Sequence, residues 1–219
     1  MVSQALVVRN LMKRKINPFK TVILAFGIAF GGMAQAGDSE VLNNPTAGFQ
    51  VTKPQGWHTI TAAENMENIK KIKLDDAEFH AAMQKYATAP LVAFSKYPEP
   101  YDDVNPSFKV SIKPYGKLKG RQPEDIIGFV IPQFENLFKD FVLAQKPIAT
   151  EVSGIKSAYM KMDYTMEIPD GRTFPTTSEM WVVPRGDYFF IIGAGFRQDE
   201  KNGSREEIQD ILKTVIIEK

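Results

Sequence analysis

The chain has 219 residues, with 27 Lys and Arg against 26 Asp and Glu, two His, no Cys and 43% hydrophobic residues. A net charge of +1 argues against a nucleic-acid binder that works by bulk electrostatics. Without cysteine there is no disulfide framework, thiolate metal site, cysteine nucleophile or lipidated N-terminal Cys.

The charge is unevenly placed. Residues 1–36 contain Arg9, Lys13, Arg14, Lys15 and Lys20 and no acid. A run of small and apolar residues from Thr21 to Met33 follows, and Ala34-Gln35-Ala36 before Gly37 is an A-x-A cleavage pattern. Together these predict a secretory signal peptide cut between Ala36 and Gly37. The apolar run is shorter than the roughly 20 residues that cross a bilayer, so cleavage is expected and no stable membrane anchor remains. Met12-Lys13-Arg14-Lys15 would itself serve as a signal-peptide start, which points to Met12 as the true initiation site. Cleavage takes five basic residues from 27, leaving 22 against 26 acids and a net charge of −4. A periplasmic or secreted protein of that charge has little general attraction for nucleic acid or anionic membrane. Residues 37–219 read as one domain.

Phe49 and Val51 alternate with polar neighbours as in a short strand, and Pro54-Gln55-Gly56 turns the chain before Trp57. Ala62 to Ala87 reads as two helices broken near Leu74-Asp75-Asp76, with stripes Met66, Ile69, Ile72 and Phe79, Met83, Tyr86. Strands are expected around Leu91–Tyr97 and Ser107–Lys113. The stiff acidic loop Pro98–Pro106 joins them. Pro123 to Phe141 carries an apolar stripe at helical spacing from Ile126 to Phe141, with Pro132 kinking or dividing the helix. Ala158 to Ile168 alternates as a strand, Pro169-Asp170-Gly171 is a hairpin turn, and Phe174 to Val183 returns. Tyr188 to Phe196 is apolar on both faces, which marks a central strand covered on both sides. Ser204-Arg205-Glu206-Glu207 is a capping box that opens a last helix, with Ile208, Ile211, Leu212, Val215 and Ile216 as its buried face. Hairpin-linked strands exclude a doubly wound parallel sheet. The expected fold is α+β: an antiparallel sheet sandwiched between helices, α/β/α.

Chemistry-bearing patterns are sparse. His58 and His80 have no ligand spacing, so no metal site is expected, and no cofactor fingerprint is present. Gly193-Ala194-Gly195 lies within a strand and suits close packing over small residues. The tripeptide Arg185-Gly186-Asp187 is explained by a hairpin turn. Asn202-Gly203-Ser204 matches a glycosylation acceptor but also the approach to the last helix. Met160, Met162 and Met166 share one strand face, which reads as core or as an adaptable apolar groove. Tyr101, Asp102 and Asp103 sit in the proline-bounded loop and are candidate recognition residues. Asp163 and Glu167 share a strand face and are a carboxylate pair that could act as acid and base.

The opening pattern Asn44-Pro45, Gly48-Phe49, Val51, Pro54, Gly56-Trp57 resembles the start of PsbP-like domains. So do Gly154 to Tyr159, the hairpin strands, Tyr188 to Ile192 and the C-terminal helix. That family shares its fold with a nuclear Ran-binding protein family. The resemblance covers nearly the whole mature chain in element order. It implies an antiparallel sheet between helical layers and a binding or assembly role without catalysis. The leading expectation is an exported, non-catalytic envelope protein that binds a protein partner or assists assembly. A carrier of a small apolar ligand is the alternative, and a hydrolase the third.

Overall fold

The computed structural model describes residues 39–65, 90–168, 170–201 and 204–218. The predicted leader, the cleavage junction at Ala36 and Gly37, most of the helical stretch after Asn65 including His80, and Asn202-Gly203 lie outside the described residues.

Among the described residues ten strands form two antiparallel sheets. The small sheet has the order β1 (Glu40–Asn44), β2 (Phe49–Lys53), β10 (Ile216–Ile217). The large sheet has seven strands in the order β3 (His58–Thr59), β4 (Val92–Ser95), β5 (Ser107–Pro114), β9 (Tyr188–Arg197), β8 (Thr173–Arg185), β7 (Ile155–Glu167), β6 (Lys139–Val152). Beyond the helical residues 62–65, the described helices are a 3-10 turn (Gly116–Leu118) and three α-helices: α1 (Pro123–Gly128), α2 (Ile131–Leu137) and α3 (Arg205–Lys213).

The large sheet separates two apolar clusters. On one face Met160, Met162, Met166, Met180, Val182, Phe189 and Ile191 pack against Ile126, Ile127, Val130 and Phe134 of the α1–α2 region. On the other, Trp181, Val183, Phe190, Ile192, Phe94, Phe108 and Val110 pack against Phe49, Val51, Trp57, Ile208, Ile211 and Ile217. Phe189 and Ile191 on one side and Phe190 and Ile192 on the other are all 0–1% exposed, as expected of a strand covered on both faces. Among the described residues the second face is covered by α3 together with the small sheet, which the expected helical cover did not include.

Three local expectations change. The predicted helix Pro123–Phe141 is two short helices followed by a strand. Pro132 occupies the first turn of α2, where its missing N–H costs nothing. The chain turns extended at Phe138, so Phe141 belongs to β6. The last helix stops at Lys213, and Val215 and Ile216 are not part of it. Ile216 is exposed and Ile217 buried, the alternation of a strand, and they pair with Gln50 and Phe49. The capping box does not form: Ser204 makes no side-chain cap bond. Glu207 instead accepts from Trp57 Nε1 at 2.9 Å and from Lys96 Nζ at 2.8 Å.

β6 is the edge strand of the large sheet and pairs irregularly. Lys139, Val142, Gln145 and Ile148 lie opposite Thr165, Asp163, Lys161 and Tyr159, so three residues of β6 match two of β7. Each extra residue is a bulge. Pro147 is tolerated here because an edge strand has no ladder bond to lose on its outer side.

Candidate interaction site at the loop end of the sheet

The antiparallel register brings the start of β5, the start of β8 and the end of β9 to one end of the large sheet. Ser107 lies opposite Gly195, and Thr176 opposite Arg197. Three connections meet there: residues 96–106, the hairpin tip around Asp170-Gly171, and residues 198–201.

The loop at 96–106 is built from inside. Asn105 is fully buried and closes the loop by accepting from the Tyr97 N–H at 3.1 Å and donating to the Tyr97 carbonyl at 2.9 Å. It also donates to Glu99 Oε1 at 2.7 Å, while the Tyr101 N–H donates to Glu99 Oε2 at 2.8 Å. Burial of a carboxylate is sustained by such donors. Beneath the loop, Lys109 of β5 is buried and donates to Asn65 Oδ1 at 2.7 Å. Burial pushes the Lys109 ammonium down to about 7, and nearby Glu99 opposes that shift.

From outside, two guanidinium groups brace the loop. Arg197 donates to both oxygens of Asp103 at 2.7 and 2.9 Å, and to both oxygens of Asp199 at 2.8 Å. Arg172 donates to Asp102 at 2.6 Å and to Asp170 at 2.8 Å. The Arg197 guanidinium holds the Asp199 carboxyl well below its ordinary range. The Arg172 backbone N–H, and then its guanidinium, lower the Asp170 carboxyl from its ordinary value. Above this frame the rings of Tyr97 and Tyr101 stack with centroids 4.6 Å apart, both partly exposed. Tyr101 is raised from its ordinary value, first by burial and then by the neighbouring Tyr97 and Asp103.

The structure therefore brings Tyr101, Asp102 and Asp103 together on one surface and adds Tyr97, Arg172 and Arg197. The acidic loop was visible in the sequence. Its cations were not, because they lie 70 and 94 residues away and only the strand register places them. The one local signal was the Asp-Gly-Arg turn that holds Arg172.

The other candidates stand apart. Met160, Met162 and Met166 are 0, 0 and 3% exposed and fill the core under α1 and α2, so they line no open groove. Met adapts to the uneven space between short helices and sheet. Asp163 accepts from Thr177 Oγ1 at 2.6 Å, and Asp163 and Glu167 lie on β7, both partly exposed. Arg185 donates to the Glu218 carbonyl at 2.6 Å and to the Tyr188 hydroxyl, which ties that tripeptide into the fold. Gly48 lies beneath it at φ +55°, where a Cβ would strike the Arg185 guanidinium. His58 is buried. Among the described residues no group of three or more His, Asp or Glu could hold a metal ion. No described helix is long and apolar enough to cross a membrane.

A second polar cluster was not foreseen. Glu179 of β8 is fully buried and accepts from Tyr159 Oη at 2.9 Å, Arg205 Nε at 3.0 Å and Gln209 Nε2 at 2.9 Å. It pins α3 to the sheet. Burial, followed by the Glu179 charge, raises the Tyr159 hydroxyl well above its ordinary value.

No family model and no curated protein matches the sequence. Similar solved structures include LpqN of Mycobacterium tuberculosis, described as involved in cell envelope biogenesis. It is 12% identical, with 83% of this chain and 91% of that one covered and a TM-score of 0.49. Cyanobacterial PsbP from Synechocystis is 14% identical over 86% of this chain and 96% of that one, at 0.47. The Ran-binding protein Mog1p of Saccharomyces cerevisiae is 8% identical over 82% and 95%, at 0.46. The structural neighbours of this chain include PsbP and Mog1p, of the fold family that its opening motif resembles.

Proposed function

We propose that the protein is exported and acts outside the cytoplasm as a non-catalytic binding protein, with the loop end of the sheet as its contact surface for a protein partner. The observation that carries this reading is the bracing of the loop. Residues 97–105 are fixed from beneath by Asn105 and Glu99 and from the sides by Arg172 and Arg197. Two stacked tyrosines are presented without the entropy cost of ordering them on contact. Tyrosine is enriched at such contacts because it joins a large apolar ring to a hydroxyl. Export is supported by the basic start, the apolar run and the A-x-A junction of the sequence. The closed packing of Met160, Met162 and Met166 gives the carrier reading no observation to rest on.

Cross-linking the mature chain in envelope extract is expected to capture a stoichiometric protein partner. The double variant Tyr101→Ala, Asp102→Ala is expected to lose it while keeping the thermal transition. Capture that is unchanged in this variant, or no partner for the wild type, overturns the reading. N-terminal sequencing of the extracytoplasmic product is expected to begin at Gly37, and an intact N-terminus overturns export by cleavage.

A further inference from the structure

The hairpin tip carries an Asp-Gly bond, Asp170-Gly171, with Gly171 at φ +88° and the Asp170 side chain about half exposed. This dipeptide is the most prone to one spontaneous reaction. The backbone nitrogen of Gly171 attacks Cγ of the protonated Asp170 carboxyl, an N–Cγ bond forms, the nitrogen gives up its proton, and the carboxyl hydroxyl departs with a proton as water. The resulting succinimide takes water back at either carbonyl, giving aspartate again or isoaspartate. Glycine favours the attack because no Cβ shields its nitrogen.

Both reacting groups are occupied here. Asp170 Oδ1 accepts from the Arg172 N–H at 3.0 Å and Oδ2 from Arg172 Nε at 2.8 Å. These bonds favour the ionised carboxylate, from which no water can leave. The Gly171 N–H donates to the Ile168 carbonyl at 2.9 Å, which holds the nitrogen in the turn and away from Cγ. Ile168 and Arg172 are joined by a further backbone bond of 3.1 Å.

We propose that Asp170-Gly171 is a spontaneous isomerisation site that the Arg172 guanidinium holds in check through its bond to the Asp170 carboxylate. The same guanidinium reaches Asp102 at 2.6 Å, so the chemistry is tied to the recognition loop. Isoaspartate inserts a methylene into the main chain at the tip. That carries Arg172 away from Asp102 and releases one of the two outer braces.

The test ages folded mature protein in neutral buffer at physiological temperature and counts isoaspartate at position 170 by peptide mapping with electron-transfer fragmentation. Urea-unfolded wild type supplies the unprotected rate. Wild type is expected to isomerise slowest, and Arg172→Gln several-fold faster, toward the unfolded rate. Asp102→Asn is expected to match wild type, because it leaves both Asp170 bonds intact. Equal rates for wild type and Arg172→Gln overturn the proposal. So does an Asp102→Asn variant as fast as Arg172→Gln, since bracing of the loop would then be the protection. Arg172 and Asp102 are exposed side chains, and the near-ultraviolet spectrum of each variant confirms the fold before ageing.

Discussion

Glu99 and Glu179 are both buried carboxylates, yet the donors that hold them come from different distances along the chain. Those of Glu99 include the Tyr101 N–H and the Asn105 amide, two and six residues away. Those of Glu179 are Tyr159, Arg205 and Gln209, which are 20, 26 and 30 residues away on β7 and α3. The first arrangement shapes a loop from within, and the second fastens one layer to another. Loss of Glu179 is therefore felt as stability, whereas loss of the Glu99 group is felt first as the shape of one surface.

The largest effect is expected where layers are joined. Glu179→Ala strands the Tyr159 hydroxyl and the Gln209 amide, while half-exposed Arg205 can turn to water. Urea unfolding is expected to show a loss of about 3 kcal/mol. A loss within about 0.5 kcal/mol would mean that α3 is held by Ile208 and Ile211 alone. Asn105→Ala should cost less, about 1–3 kcal/mol for its stranded partners. Its sharper signature is faster amide exchange at Tyr97 and Tyr101, with exchange in α3 unchanged. Spread of the effect to α3 would erase the contrast.

Lys109 adds a pH dependence to the loop side only. Its folded value of about 7 lies below that of the unfolded chain. Between about pH 7 and the ordinary lysine value the unfolded state binds more protons, so this group makes stability rise with pH across that window. The penalty is full below the folded value and gone above the unfolded one. The gain from pH 7 to pH 9 is expected to be roughly 2 kcal/mol. Lys109→Met should flatten it, read as the difference between wild type and variant at the two pH values. Identical slopes would show that Lys109 keeps its ordinary affinity for protons.

The outer braces should matter least to stability. The Arg197 side chain is 12% exposed, grips Asp199 through Nε and Nη2 and reaches Asp103 through Nη1, and Arg197→Ala is expected to cost about 1 kcal/mol. The Arg172 side chain is 48% exposed, and Arg172→Ala should change stability by no more than about 0.5 kcal/mol. A larger loss for Arg172 than for Arg197 would reverse the ranking.

The contrast between β9 and β6 shows which parts of the fold were legible. In β9 every residue from Phe189 to Phe196 is buried, and that double-sided apolar run is visible without coordinates. In β6 exposure alternates from Phe141 to Ile148, with Phe141 and Leu143 packed on the core, but the run mixes Ala, Gln, Lys and Pro with its apolar residues and does not stand out as a strand. The Phe134, Leu137, Phe138, Phe141 spacing continued the helical stripe of α2 by coincidence. Val215 and Ile216 were drawn into the last helix for the same reason, since the two residues of β10 cannot display a period. At the candidate site, the prolines and acids of the loop are local and were found. Arg197, Glu179 and Lys109 take their roles from partners across the sheet, and Glu207 took a partner other than the one its local motif named.

The three-for-two pairing of β6 also bears on how the molecule meets its own copies. A straight strand approaching that edge presents donors and acceptors at regular intervals. The bulged strand presents its own out of phase with them, and Pro147 contributes no N–H at all. After one or two bonds the register is lost, so this edge of the sheet is a poor template for growth into fibrils or runaway stacks. A self-terminating edge protects a chain while it folds and is most exposed to its own copies.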